Sequence, residues 1–288
     1  MNKLTATKQA AIARCLSEGN SIRATARMTG TSKATVLKLL VELGDFCSFY
    51  QDRVLRNLPT VRVEADEIWA FVGAKQRRAR RDGDGDIWTY TAIDADSKLM
   101  ITWLVGARNQ DNATEFMTDL AGRLANRIQL TTDGHSMYLG AVERAFGWNR
   151  VDFAQLIKSY GQPETGVDSS RRYSPPVCTG THKHWVMGQP DEDKVSTSYV
   201  ERANLSIRMQ QRRFTRLTNA FSKKAENHAA AVSFYFMYYN FCRVHQTLTK
   251  ERGGVHCTPA MAAGVTDRVW RVEDILARMD PKVPLHSN

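Results

Sequence analysis

The sequence predicts an α/β protein with a small all-helical unit ahead of it. Three observations carry that prediction. One is a triplet of short, cappable helical stretches within residues 1–45. Another is an apolar stretch over 61–72 that holds an acid in its middle. The third is the order of elements that follows, three strands in a row and then alternating helices and strands.

The helical unit is read from its stops and caps. A helix is expected over 7–18, with Ile12 and Leu16 on one face and Gly19 as its stop. Ser21 is placed to cap a second helix over 22–28, and Gly30 supplies the turn. Ser32 is placed to cap a third over 33–43, which Gly44 would end. Ala24, Met28, Val36, Leu39, Leu40 and Leu43 would form its small core. Two short helices around a glycine turn make a helix-turn-helix pattern, whose last helix enters the major groove by its N-terminal end. That end carries Ser32, Lys33, Thr35 and Lys38, which can reach phosphates or base edges. The plainer reading is an ordinary three-helix packing unit. Residues 45–58 read as a further helix, and a second domain is expected to begin at Leu58-Pro59.

In the stretch over 61–72, Val61, Val63 and Ala65 alternate with Arg62, Glu64 and Asp66, and 68–72 is almost wholly apolar. That is the pattern of a central strand. A carboxylate inside it is unfavourable unless a cation or hydrogen bonds compensate it, so Asp66 needs a reason. A salt bridge to a nearby Arg is the plain one. Next come the basic run 75–81 and the Gly-Asp repeats of 82–86, read as an exposed connection, either solvated or touching phosphate. Strands are expected over 87–94 and 99–105, joined by a turn at 94–97. A helix over 112–126 follows, with Phe116, Leu120 and Leu124 on one stripe. Then come a strand over 128–132 ending in Asp133-Gly134, a helix over 136–146 and a strand over 151–157. The order β-β-β-α-β-α-β is the ribonuclease-H-like arrangement. Asp133 falls at the carboxyl end of its strand, where sites form in α/β sheets.

Residues 160–194 are rich in Gly, Pro, Ser and charge and read as a long insertion without regular structure. Cys178, His182 and His184 lie near one another there, a weak hint of zinc at irregular spacing. Helical period returns at Val195, with Val200, Ala203, Ile207, Phe214 and Leu217 near one face and Glu201, Arg208 and Arg212 on another. Arg216 continues that basic side. From 202 to 225 there are five Arg, two Lys and no acid, so Glu201 stands alone at the head of a basic helix. A helix N-terminal acid that complements the dipole is the ordinary explanation. A helix over 226–242 is expected to bury Phe234, Phe236, Tyr238, Tyr239 and Phe241 as core. Residues 251–288 read as a C-terminal helical tail, which leaves 59–250 as the main domain.

Bulk properties narrow the function. Lys plus Arg exceed Asp plus Glu by 40 − 30 = 10 in 288 residues, which favours a polyanionic partner, nucleic acid first. Apolar content of 42% supports a sizeable core and excludes global disorder. The five cysteines form no CxxC pair, so neither a zinc ribbon nor a disulfide framework is expected. No signal peptide or membrane-spanning run is read, and a cytoplasmic, nucleoid-associated protein is expected.

Asp66, Asp133 and Glu201 are mid-strand, strand-end and helix-start acids, and in a ribonuclease-H-like fold those places converge. Three carboxylates in one cleft repel one another, and two divalent ions remove the conflict. Oxygen ligands suit Mg2+ or Mn2+, and an ion pair supports in-line displacement on phosphorus. Arg208, Arg212 and Arg216 would hold the DNA backbone beside them.

These residues resemble the insertion-sequence transposases of the IS1 family. The resemblance rests on residues 65–75, on Thr132-Asp133-Gly134, on 199–208 and on 221–228, and it covers most of 60–245. It implies a DDE triad on Asp66, Asp133 and Glu201. It also implies Mg2+-dependent cleavage and joining of double-stranded DNA at inverted-repeat ends and target, by a homo-oligomer on DNA. This chain departs from the pattern in lacking a Cys-rich zinc finger, and in the wide Asp133-to-Glu201 spacing that 160–194 creates. Two other readings compete: a ribonuclease-H-like nuclease that cuts without joining, and a helix-turn-helix regulator.

Overall fold

Strand β1 (Arg62–Val72) lies inside the sheet, with antiparallel β2 (Gly85–Asp94) on one side and parallel β4 (Ile128–Asp133) on the other. The apolar run of its second half, 68–72, follows from burial on both faces. β3 (Met100–Gly106) extends the meander, and β5 (Val151–Tyr160) pairs parallel to β4. A sixth strand, β6 (Cys178–Met187), runs antiparallel to β5, so the sheet order is β3-β2-β1-β4-β5-β6. The computed structural model describes residues 4–161, 178–215 and 219–280. The chain is a mixed α/β protein built on this six-stranded sheet.

β6 corrects the expectation that 160–194 lacks regular structure. Its residues alternate weakly and are almost all exposed, so the hydrophobic period that reveals a buried strand is missing. The strand exists because β5 runs on to Tyr160 and offers it a backbone edge. Residues 188–194 add one 3-10 turn at Glu192–Lys194, and 162–177 of the expected insertion lie outside the described residues.

Helix α1 (Ala6–Ser17) is capped by Thr5, α2 (Ile22–Thr29) by Ser21, and α3 (Lys33–Val54) by Ser32. Gly30 takes the left-handed conformation that ends α2. Two expectations fail here. Gly44 does not stop α3, which runs unbroken through 45–54. A Cβ at Gly44 would overlap the backbone of Ala230, so this glycine marks a close helix crossing with α7 (Ala225–Met237). Met28 is exposed, and α2 buries Thr25, Ala26 and Thr29 instead. The phase differs because the helix packs by its small residues.

One core cluster joins the N-terminal helices to the sheet. Ile12, Leu40, Leu43 and Tyr50 belong to it together with Ala65, Tyr90, Leu130 and Phe153. Helices α4 (Gln110–Arg123) and α5 (Met137–Phe146) add Phe116, Leu120, Tyr138 and Val142. A smaller cluster lies on the other face of the sheet. It holds Ile68 and Ala70 of β1, Val200, Ala203 and Ile207 of α6 (Ser198–Gln210), and Tyr235 and Phe236 of α7.

The basic helix expected beyond Glu201 is interrupted. α6 ends at Gln210, Gln211 is extended and buried, and residues 212–214 form one 3-10 turn that buries Phe214 against His228. Arg212 is therefore exposed on that turn and does not continue the α6 face. Arg213 points inward and donates to Ser222 Oγ and the Asn227 carbonyl, each at 2.8 Å. Arg216 and Leu217 lie outside the described residues. After α7 a π turn over Tyr238–Cys242 buries Tyr239 and Phe241, as expected of core aromatics, while half-buried Tyr238 reaches Glu18. Short helices α8 (Gln246–Glu251), α9 (Pro259–Ala262) and α10 (Val272–Arg278) follow. Among the described residues no helix is long and apolar enough to cross a membrane.

Candidate acidic site

Asp66 and Asp133 come together because β1 and β4 are parallel neighbours. Ala65 pairs with Thr132, so the next residues, Asp66 and Asp133, leave that register side by side. Their carboxylates and that of Glu67 lie within 4.8 Å of one another. Burial first, then the charges of Glu67 and Asp133, push the Asp66 carboxyl up to about 7.

Each member is held differently. Asn204 Nδ2 of α6 donates to Asp66 Oδ2 at 2.8 Å, and the Thr91 hydroxyl donates to the Asp66 carbonyl at 3.2 Å. Asp133 Oδ1 accepts the His135 N–H at 3.1 Å, which tightens the turn that follows β4. Buried Gln155 braces that turn by donating to the carbonyls of Asp133 and His135. The Glu67 side chain is 1% exposed and both its oxygens are engaged. Arg108 Nε donates to Oε1 at 2.6 Å, and the Tyr138 hydroxyl donates to Oε2 at 2.6 Å. Burial, and then Glu67, raise the Tyr138 hydroxyl well above its ordinary value, so it stays a donor.

Glu201 lies in the first turn of α6, three residues before Asn204, on the same side of the helix. It is exposed, ion-paired to Lys158 of β5, and accepts from the Thr197 hydroxyl. It stands outside the group of carboxylates that lie within 4.8 Å. A further acid, Glu64, locks α6 to β1: its Oε2 accepts the N–H groups of Tyr199 and Val200 at 2.7 and 2.9 Å. Burial raises the Glu64 carboxyl, and these bonds oppose the rise. Glu64 thus satisfies orphan donors at the helix start, where negative charge is favoured.

Sequence reasoning passed over Glu64, Glu67, Asn204, Gln155, Arg108 and Tyr138. The strand period did carry a signal for Glu64, which shares a face with Asp66. The other partners lie far away in sequence and leave no local trace.

The remaining expected site residues are scattered. Ser32 caps α3 through the Thr35 N–H at 3.0 Å, Lys33 is exposed, and Lys38 is exposed and pairs with Glu42. Arg208 is half-buried on α6. Cys178, His182 and His184 are strung along β6 and do not converge, so the hint of zinc fails among the described residues.

The Asp66–Asp133 pair has the chemistry of a divalent-cation site, and Glu67, whose oxygens Arg108 and Tyr138 occupy, adds negative charge beside it. The pair offers only oxygen donors, as Mg2+ or Mn2+ prefer. Burial, and then the neighbouring negative charges, raise the Asp66 carboxyl, and a bound cation would oppose that rise.

No family model matches the chain, and no curated protein does. Among solved structures it is similar to the Mos1 transposase paired-end complex with left transposon end, at 13% identity and a TM-score of 0.25. That match covers 53% of this chain and 60% of the other. A pre-cleavage Mos1 transpososome is matched at 11% identity and a TM-score of 0.21, over 82% of this chain and 79% of the other.

Proposed function

We propose that the chain is a DDE-type DNA transposase of the IS1 kind, which cleaves and joins strands at the inverted-repeat ends of an insertion sequence. One observation carries the reading: two carboxylates, Asp66 and Asp133, leave adjacent parallel strands side by side, and the helix bearing Glu201 is pinned to one of them. The chain order β-β-β-α-β-α-β with the strand order β3-β2-β1-β4-β5 supports a ribonuclease-H-like catalytic domain.

Asp66 and Asp133 would hold two Mg2+ or Mn2+ ions, with Glu201 as the third ligand once it leaves Lys158. When bound, such ions activate an attacking hydroxyl and stabilise a leaving oxygen at phosphorus. Within the chain, Asn204 sets the direction of the Asp66 carboxylate, the His135 N–H sets that of Asp133, and Gln155 braces the backbone turn at Asp133. Arg208, Arg212 and Arg216 would grip the backbone of the DNA. Ser32, Lys33, Thr35 and Lys38 would read the ends from α3, in a helix-turn-helix domain of residues 1–58. The partners are double-stranded end and target DNA, and a homo-oligomer would pair two ends.

The test is incubation of the full chain with Mg2+ and a duplex carrying a candidate inverted-repeat end, followed by sequencing of joined products. Joined products that vanish with Asp66→Asn, Asp133→Asn or Glu201→Gln are expected. Joining that survives Glu201→Gln would remove Glu201 from the triad. No Mg2+-dependent cleavage or joining with any candidate end would sink the reading.

A further inference from the structure

We infer that the outer part of β5 and β6 is a platform for a single-stranded segment of DNA, on the same face of the sheet as Asp66 and Asp133. This deepens the transposase reading and rests on it.

The placement follows from register. Asp133 pairs with Leu156, and Leu156 pairs with Lys183, so the three form one row across the sheet. Residues in one row share a face, as do residues two apart along a strand. Trp185, opposite Ala154, therefore stands on the same face as Asp133, and so do Lys158 and Tyr160. The Lys158 contact with Glu201 of α6 agrees with that assignment.

Beyond Leu156 this part of the sheet has only two strands. β4 ends at Asp133, and residues 157–160 have β6 as their sheet neighbour. A ribbon thus projects past the acid pair. On it Trp185 and Tyr160 are each 56% exposed. Large aromatics left in water beside a chemical site mark an interaction surface more often than a lone exposed Leu does.

Charge selects the partner. Residues 154–160 and 178–187 hold no Asp or Glu; Lys158, which meets Glu201, and Lys183 stand on the Asp133 face, and His182 and His184 on the opposite one. The strip from the Trp185 row to Tyr160 spans seven residues of β5, six steps of the strand or about 20 Å. Aromatics at both ends with lysines between them match the requirements of a single strand, whose bases stack on rings while its phosphates meet cations. A duplex keeps its bases stacked internally and has no use for the rings. Strand cleavage beside Asp66 and Asp133 is the event that would deliver a freed strand to this face.

The experiment uses the full chain in EDTA, so that nothing is cut. Fluorescence anisotropy is read with an oligothymidylate of about 20 nucleotides, a length that spans an ordinary single-strand site, and with a duplex of equal length. Trp185→Ala should weaken single-strand binding about tenfold, the size of one lost stacking contact, and change duplex binding less than about twofold. Trp185→Phe should restore most of the loss. Lys183→Ala should reduce the slope of log affinity against log salt on the single strand by about 0.7. Unaltered melting temperatures would show that the variants fold.

Single-strand binding indifferent to Trp185→Ala, with duplex binding intact, overturns the platform and leaves the transposase reading standing. A wild type that binds neither form of DNA overturns both. A self-association that Trp185→Ala abolishes, with single-strand affinity unchanged, would make the ribbon a contact between copies of the chain and likewise overturn the platform.

Discussion

Asp66 and Glu67 are consecutive residues of one strand, yet they face opposite sides of the sheet. Glu67 enters the larger core, where an arginine and a tyrosine occupy both of its oxygens. Asp66 faces α6, where one carboxamide meets it and two neighbouring acids crowd it. Both acids are largely shielded from water, so burial does not separate their roles. Compensation does. A buried carboxylate with matched donors is a structural ion, and one whose neighbours repel it is poised to take a cation or a proton.

The strongest test of that contrast is chemical. Asp66→Asn should lower Mg2+-dependent joining by about a thousandfold or more, because removing a ligand disturbs both the nucleophile and the leaving group. Its fold and its duplex binding should persist. Joining assays and melting curves on the same preparation give the result, and retained joining would break the distinction drawn here.

Glu67→Ala should show the opposite balance. Removing one partner of a buried pair strands the Arg108 charge and the Tyr138 hydroxyl, at about 3 kcal/mol of folding stability. Chemical denaturation reads this directly. A loss below about 1 kcal/mol, within the range of an exposed ion pair, would show that Glu67 is not a structural ion.

The third test is a pH series without metal. The folded Asp66 carboxyl titrates at about 7, above its unfolded value of 3.8. Between those limits the folded chain holds a proton that the unfolded chain has released. The associated stability is therefore complete below about pH 4 and is lost as pH rises through about 7. Full burial would make the loss about 4 kcal/mol, and access of water to the cleft reduces it to about 2 kcal/mol. Asp66→Asn should match the wild type near pH 4 and exceed it at pH 8. Mg2+ at pH 8 should stabilise the wild type more than the variant, since a ligand of the folded state adds to its stability. Parallel curves for the two proteins would refute the assigned titration.

Tyr138→Phe should have the smallest effect, about 1.5 kcal/mol for one hydrogen bond to a charged group. Arg108 still compensates Glu67 in that variant. Denaturation of the double variant Glu67→Gln/Tyr138→Phe measures the coupling, and strict additivity would mean that the hydroxyl and the carboxylate act independently.

Much of the architecture was legible in the residues. The serine caps at 21 and 32, the apolar run of β1 and the strand-to-turn step at Asp133-Gly134 are local signals, and the structure has them where the sequence places them. Asp66 and Asp133 could be paired from the order of elements, because parallel neighbours with matched ends bring such residues together. Glu201 was visible as a lone acid at a helix start, but its attachment to Lys158 was not, since that partner is 43 positions away.

Local pattern thus determined most of the helices and strands, β6 excepted, and which acids stand out from their surroundings. The tertiary structure alone decided what each residue answers to. Gly44 has the signature of a helix stop, yet it lies inside α3 because Ala230 crosses there. α6 ends at Gln210 although the basic run continues, because Phe214 turns inward to pack on His228. β6 forms on a free edge of β5 with only weak alternation of its own. In each case the deciding partner is distant in sequence or belongs to another element. Propensity and period act over a few residues, whereas close approach, edge pairing and charge compensation are set by neighbours that only folding supplies.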